Sequence, residues 1–129
     1  MKPVDQSTFG FPGGNCFSAC VASMLEIPLA DVPYFMADDR WFEKFKRWLE
    51  QRGFWAVCFK LDGDWLPDGL HILSGKSPRD PENPDALHSV VARGNAIVHD
   101  PHPSRSGLLS RDDVVLLIPH DPAQIGARS

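Results

Sequence analysis

Two absences narrow the reading before any motif is considered. No apolar run in the 129 residues approaches the roughly 20 residues of a membrane-spanning helix, and Met1-Lys2-Pro3-Val4-Asp5 lacks the apolar core of a signal peptide. The chain therefore reads as cytoplasmic, with no membrane partner. A basic patch is missing too: 13 Lys and Arg face 17 Asp and Glu, the net charge is -4 and the pI near 5.6. The cations are scattered along the chain, so nucleic acid is not an expected partner. Cysteine is scarce, and three is an odd number. Without a secretion signal a disulfide framework is not expected, and each thiol needs its own explanation. There is neither an internal repeat nor a low-complexity segment.

What is present is ordinary in bulk. A hydrophobic content of 43% and a charged content of 23% are those of a globular protein. The length suits one domain, expected over residues 1–119, with residues 120–129 a flexible tail that has little to bury. Twelve prolines announce many turns and short elements.

The loop Phe9-Gly10-Phe11-Pro12-Gly13-Gly14-Asn15 precedes a run of helix formers, Cys16 to Glu26. Asn15 is the expected N-cap, which puts Cys16 in the first turn. Pro28 and Pro33 bracket a single turn at Leu29 to Val32. Asp38 or Asp39 then caps a helix whose Trp41, Phe42, Phe45, Trp48 and Leu49 recur at helical spacing until Gly53. Strands are expected at Phe54 to Lys60 and Gly69 to Leu73, with a turn at Asp62-Gly63-Asp64, and a loop at Gly75 to Asp85 long enough to border a site. Leu87 to Ala92 and Ala96 to His99 flank a hairpin signal, Arg93-Gly94-Asn95. A last strand covers Val114 to Ile118 before Pro119. Helices first and antiparallel strands second make an α+β fold, with the helix that bears Cys16 packed on the sheet.

A thiol is a nucleophile only as a thiolate, and a helix N-terminus with a nearby histidine lowers its pKa toward that state. Cys16 sits where both can act, and its free first-turn N–H can bind an oxyanion. The hairpin supplies the base. A three-residue turn of Arg93, Gly94 and Asn95 pairs residues whose numbers add to 188, so His88 opposes Asp100. Directly opposed residues share a face with Cβ atoms about 5 Å apart, which suits an imidazole held by a carboxylate. A two-residue turn at Gly94-Asn95 would move Asp100 to the other face unless a bulge compensated.

Gly14-Asn15-Cys16-Phe17-Ser18-Ala19-Cys20-Val21-Ala22-Ser23-Met24-Leu25 resembles the nucleophile helix of papain-like cysteine peptidases, especially the bacteriocin-processing (double-glycine leader) branch. His88-Ser89-Val90-Val91 and Ile97-Val98-His99-Asp100-Pro101 resemble that branch's histidine strand and the Asp-Pro that closes the next one. The resemblance implies a papain-like fold, a thiol protease or related hydrolase with a Cys16, His88 and Asp100 triad, a peptide or protein substrate, and no cofactor. A glutamine upstream of the cysteine donates to the oxyanion in that family, which falls on Gln6. Gln6 stands ten residues before Cys16, farther than the family spacing, and the extra Gly and Pro residues are accommodated by a bulged loop. Asn15 or a backbone amide is the alternative donor.

The remaining candidates have plainer roles. Cys20 reads as packing one turn beneath Cys16, and Cys58 as core. His99 alternates away from Asp100, while His71, His102 and His120 read as solvated. Trp41, Phe45 and Trp48 read as core, and Trp55 and Trp65 are possible cleft residues. Cys16, Cys20, His99 and His102 are ligand types that zinc takes, but their spacing matches no familiar zinc module, so no metal is expected. The same triad also serves acyl transferases and transglutaminases, and an inactive binding or assembly protein is the rival from another class. Oligomeric state is not legible.

Overall fold

The computed structural model describes residues 1–63 and 65–124; Asp64 of the expected turn and residues 125–129 of the expected tail lie outside the described residues. Helices α1 (Cys16–Leu25) and α2 (Trp41–Glu50) precede strands β1 (Phe54–Lys60), β2 (Leu70–Lys76), β3 (Leu87–Arg93), β4 (Ala96–His99) and β5 (Asp113–Pro119). The strands form one antiparallel sheet of order β1-β5-β2-β3-β4. The protein is thus α+β, as the order of patterns implies.

Helix α1 has no polar face because nine of its ten residues are buried. It ends where Glu26 takes a left-handed φ of 58° and its N–H returns to the Ala22 carbonyl, and Pro28 beyond cannot continue it. Helix α2 is amphipathic in the usual sense: Phe45 and Leu49 are buried while Glu43, Lys44, Lys46 and Arg47 face solvent. Phe45 stands edge-on to Phe17 and Phe35, with centroids 5.1 and 5.3 Å away. Asp38 does not occupy the cap position, which falls to Arg40. Instead its carboxylate accepts the Arg40 N–H at 2.7 Å and shapes the turn into the helix.

Both faces of the sheet are covered. Ile72, Val91 and Val115 pack beneath the helices, and Leu73, Val90, Ala92 and Val114 form a second cluster on the alternate face with Phe59, Leu66, Ile97 and Leu108. Strand β2 runs three residues past the expected end, because Ser74, Gly75 and Lys76 pair with Ser89, His88 and Leu87. Gly75 permits this: a Cβ there would lie 1.8 Å from the Ser110 carbonyl oxygen.

Three expectations are corrected. The hairpin turn has two residues, not three: Arg93 pairs with Ala96, with Gly94 at φ 56°, the conformation that Asn-Gly-type turns favour. A register shift follows, so that Ala92 pairs with Ile97 but Val91 with His99, leaving Val98 as the extra residue of a bulge. Cys58 is exposed, not core, because β1 is an edge strand whose helix-covered residues are Phe54 and Ala56. His71 is fully buried, not solvated, since β2 carries it into the sheet opposite Ala92.

Candidate active site

The loop before α1 is fastened by its own polar groups. Asn15 Oδ1 accepts the N–H groups of Ser7 and Thr8 at 2.9 and 3.0 Å, and its Nδ2 donates to Ser7 Oγ at 3.0 Å. Asn15 therefore holds the N-cap position without capping through its side chain, and its carboxamide oxygen and one Nδ2 hydrogen are taken up by the loop. Gly14 has to be small, because a Cβ would sit 2.9 Å from the Gly10 carbonyl oxygen. The carboxamide of Gln6 lies beside the same point, with Nε2 3.6 Å from it. The longer spacing between Gln6 and Cys16 is taken up by this folded loop, and Gln6 comes back to the cavity that Cys16 also lines.

The Val98 bulge decides the other half of the site. With a two-residue turn and no bulge, Asp100 would face away from His88; the extra residue restores the parity. His88 Nε2 accordingly lies 2.7 Å from Asp100 Oδ1, both side chains buried. Asp100 is fixed further by the N–H of His102 on Oδ1 at 3.0 Å and the N–H of Gly107 on Oδ2 at 2.8 Å. With Nε2 engaged, Nδ1 is the nitrogen left for the sulfur of Cys16, which the imidazole and the Ser89 N–H both approach as hydrogen-bond partners. The structure thus brings Cys16, His88 and Asp100 together.

Electrostatics follow from those contacts. Burial opposes a charged sulfur, but the His88 imidazole and the N–H groups of Ser89 and Phe17 outweigh it, so the Cys16 thiol falls below its ordinary 9.0. Burial also opposes charge on His88, and its hydrogen bonds to Asp100 and Cys16 win, raising it above 6.5. Burial would raise Asp100 too, yet His88 and the N–H groups of His102 and Gly107 bring it from 3.8 down to about 2. These directions favour a thiolate, an imidazolium and a carboxylate in line. The other thiols go the opposite way. Burial pushes Cys20 well above 9.0, with Cys16 and Asp100 adding to it, and burial and Asp113 raise Cys58.

Gln6 is buried; its Nε2 donates one hydrogen to the Thr8 carbonyl at 3.0 Å, and its Oε1 has no hydrogen-bond partner among the described residues. A carboxamide nitrogen carries two hydrogens, so one is left without a hydrogen-bond partner among the described residues. Gln6, Cys16 and His88 line a cavity of about 350 Å³. Its walls include Tyr34, Met36 and Trp41, and Arg79 and Asp85 reach it from the long loop after β2. A wider open depression of about 840 Å³ lies behind Asp100, beside Asp5, His99 and Arg105, and does not reach Cys16.

Several contributors carried no sequence signal. The N–H groups of Ser89 and Gly107 matter only because of where the chain passes. Trp41 is read as core from its helical spacing and is both partly buried and a cleft wall. His102 is half-buried, not solvated, with its ring against Phe9 at 5.2 Å and 6.3 Å from the His88 ring. Desolvation, Arg79 and His88 hold it below 6.5. The Asp-Pro step, whose carboxylate accepts the N–H two residues on, was a signal that pointed to it. His99 turns away to donate to the Val4 carbonyl at 2.9 Å. Trp55 lies tilted against His120 and Trp65 tilted against Phe59, and neither lines the cleft. Among the described residues no three His, Cys, Asp or Glu side chains are grouped to hold a metal ion, and no helix is long and apolar enough to cross a membrane. Comparison with models of known families, with curated proteins and with solved structures returns no match.

Proposed function

We propose that the chain is a papain-like cysteine hydrolase, a peptidase or amidase, nearest in its site residues to the bacteriocin-processing branch. The observation that carries this reading is the convergence of the Cys16 thiol, the His88 imidazole and the Asp100 carboxylate, with the 2.7 Å His88 to Asp100 contact. The Cys16 thiolate attacks a carbonyl carbon, and the negative charge that develops on its oxygen is received by the Cys16 N–H and the second hydrogen of Gln6 Nε2. His88, protonated beforehand from the thiol, hands its proton to the leaving amine as the acyl-enzyme forms. It then takes a proton from water, which attacks the thioester and frees Cys16. Asp100 holds the ring orientation and the imidazolium throughout. An amine in place of water makes the same centre an acyl transferase, so acceptor choice belongs to the cleft and not to the triad.

Reactivity tests the reading. Iodoacetamide at neutral pH is expected to alkylate Cys16 first, and His88→Ala to slow that labelling by about tenfold or more, since the thiol returns toward its ordinary pKa. Mass-spectrometric mapping identifies the site. Label appearing first on Cys20 or Cys58, or an inert Cys16 in folded protein, would overturn the enzyme reading and favour an assembly protein on the same fold.

A further inference from the structure

Helix α1 covers the sheet only as far as Cys16, and the row of residues just beyond its N-terminus forms the cleft floor. Val91, Ile72 and Val115 lie under the helix, and Ser89, Ser74 and Asp113 stand two residues further along the same strands, on the same face. Ser74 pairs with both Ser89 and Asp113, and all three line the cavity. At one end of this row the Ser89 N–H is near enough to the Cys16 sulfur to help lower its pKa, and both residues line the cavity. Next, the Ser89 and Ser74 hydroxyls meet at 2.7 Å. At the other end is the half-buried Asp113 carboxylate, two strand spacings away, about 10 Å.

Among the described residues no hydrogen bond or ion pair engages the Asp113 side chain, although Lys60 opposes it across β1 and β5. Above the row, Tyr34, Met36 and Trp41 give the cavity an apolar wall. The cation on the rim, Arg79, is turned toward Ser104, to which its Nη1 donates at 3.3 Å, and so does not answer Asp113. The cleft therefore offers apolar surface along its length, hydroxyls midway and, at the end remote from the thiol, a carboxylate without an ion pair among the described residues, with Asp85 a second carboxylate on the lining. A side chain with a long apolar stem and a cationic head matches that sequence of surfaces.

We infer that the cleft selects a lysine or arginine side chain on the acyl side of the scissile bond, its stem along Trp41 and Met36 and its head on Asp113. This rests on the hydrolase reading and adds the class of substrate to it.

Peptidyl chloromethyl ketones test it on the full chain, since attack by the sulfur displaces chloride and marks Cys16 irreversibly. Three probes differ only in the residue next to the ketone, lysine, norleucine or glutamate, norleucine having the lysine stem without its charge. The lysine probe is expected to inactivate at least about tenfold faster than the norleucine probe, as a hydrogen-bonded charge pair supports. The ratio is expected to collapse toward one in Asp113→Asn and to shrink in the unaltered protein as salt is raised. In Asp113→Lys the glutamate probe should overtake the lysine probe. Norleucine reacting at Cys16 as fast as lysine, or a ratio that survives both Asp113→Asn and high salt, overturns the inference and leaves the hydrolase reading standing. No labelling of Cys16 by any of the three overturns both. The salt series needs no variant, so the outcome does not depend on how an altered Asp113 folds.

Discussion

Asp100 receives three N–H groups, from His88, His102 and Gly107, and owes its depressed pKa to them. Because its folded value is about 2 against an ordinary 3.8, its contribution to stability is complete above the ordinary value and is lost as pH falls through the folded one. The size is about 2 kcal/mol. Urea midpoints across that acid window are expected to fall in the native chain and to flatten in Asp100→Asn. His88 acts with the opposite sign: raised above 6.5, its imidazolium stabilises at lower pH, and the benefit disappears as pH climbs through its raised pKa. Cys16 alkylation followed against pH is expected to climb at values below the ordinary thiol 9.0. A climb centred at or above that value would show that the thiol is not depressed.

At the scale of elements the bulge in β4 is the feature on which the site turns. Deleting Val98 restores regular pairing in an edge strand that carries only four residues, Ala96–His99, so the fold is expected to survive. The pairing beyond it is unchanged, with His99 opposite Val91 and Asp100 next in line opposite Val90, so Asp100 keeps to the face of His88. Circular dichroism and the alkylation rate of Cys16 should therefore both change little; a rate that drops toward that of His88→Ala would mean that the bulge positions the carboxylate by more than the parity it sets. Residues 4–6 are stitched to the segment after β4 by the Gln6 N–H on the Pro101 carbonyl at 3.0 Å and by Arg105, whose guanidinium grips both oxygens of Asp5 and reaches the Asp100 carbonyl. These links tie the strip that bears Gln6 to the one that bears Asp100. Arg105→Ala is expected to speed amide hydrogen exchange in residues 4–8 more than in β3.

For the whole molecule, the three site residues come from positions far apart in sequence and meet only because α1 is seated on the sheet. Phe45, fully buried against Phe17 and Phe35, holds α2 to α1 and to the turn before it. Phe45→Ala is expected to cost about 3–5 kcal/mol in urea unfolding. In the unaltered chain, loss of fast Cys16 labelling and loss of ellipticity should coincide along the urea axis, as expected of one cooperative unit. A labelling loss well ahead of unfolding would mark the site as a separately melting part.

Local signals made much of this legible. Gly and Pro punctuation, helical spacing and short β-branched runs placed both helices and all five strands near their observed positions, since each depends on neighbours in the chain. The placing of Cys16 at the head of α1 was equally local. What sequence alone left open were consequences of packing: the turn length and its bulge, the return of Gln6 through the folded loop, and the burial of His71 against the exposure of Cys58. A hairpin's parity and the covering of a strand's face are set by contacts between distant segments, and no residue carries a record of a partner that only the tertiary fold selects.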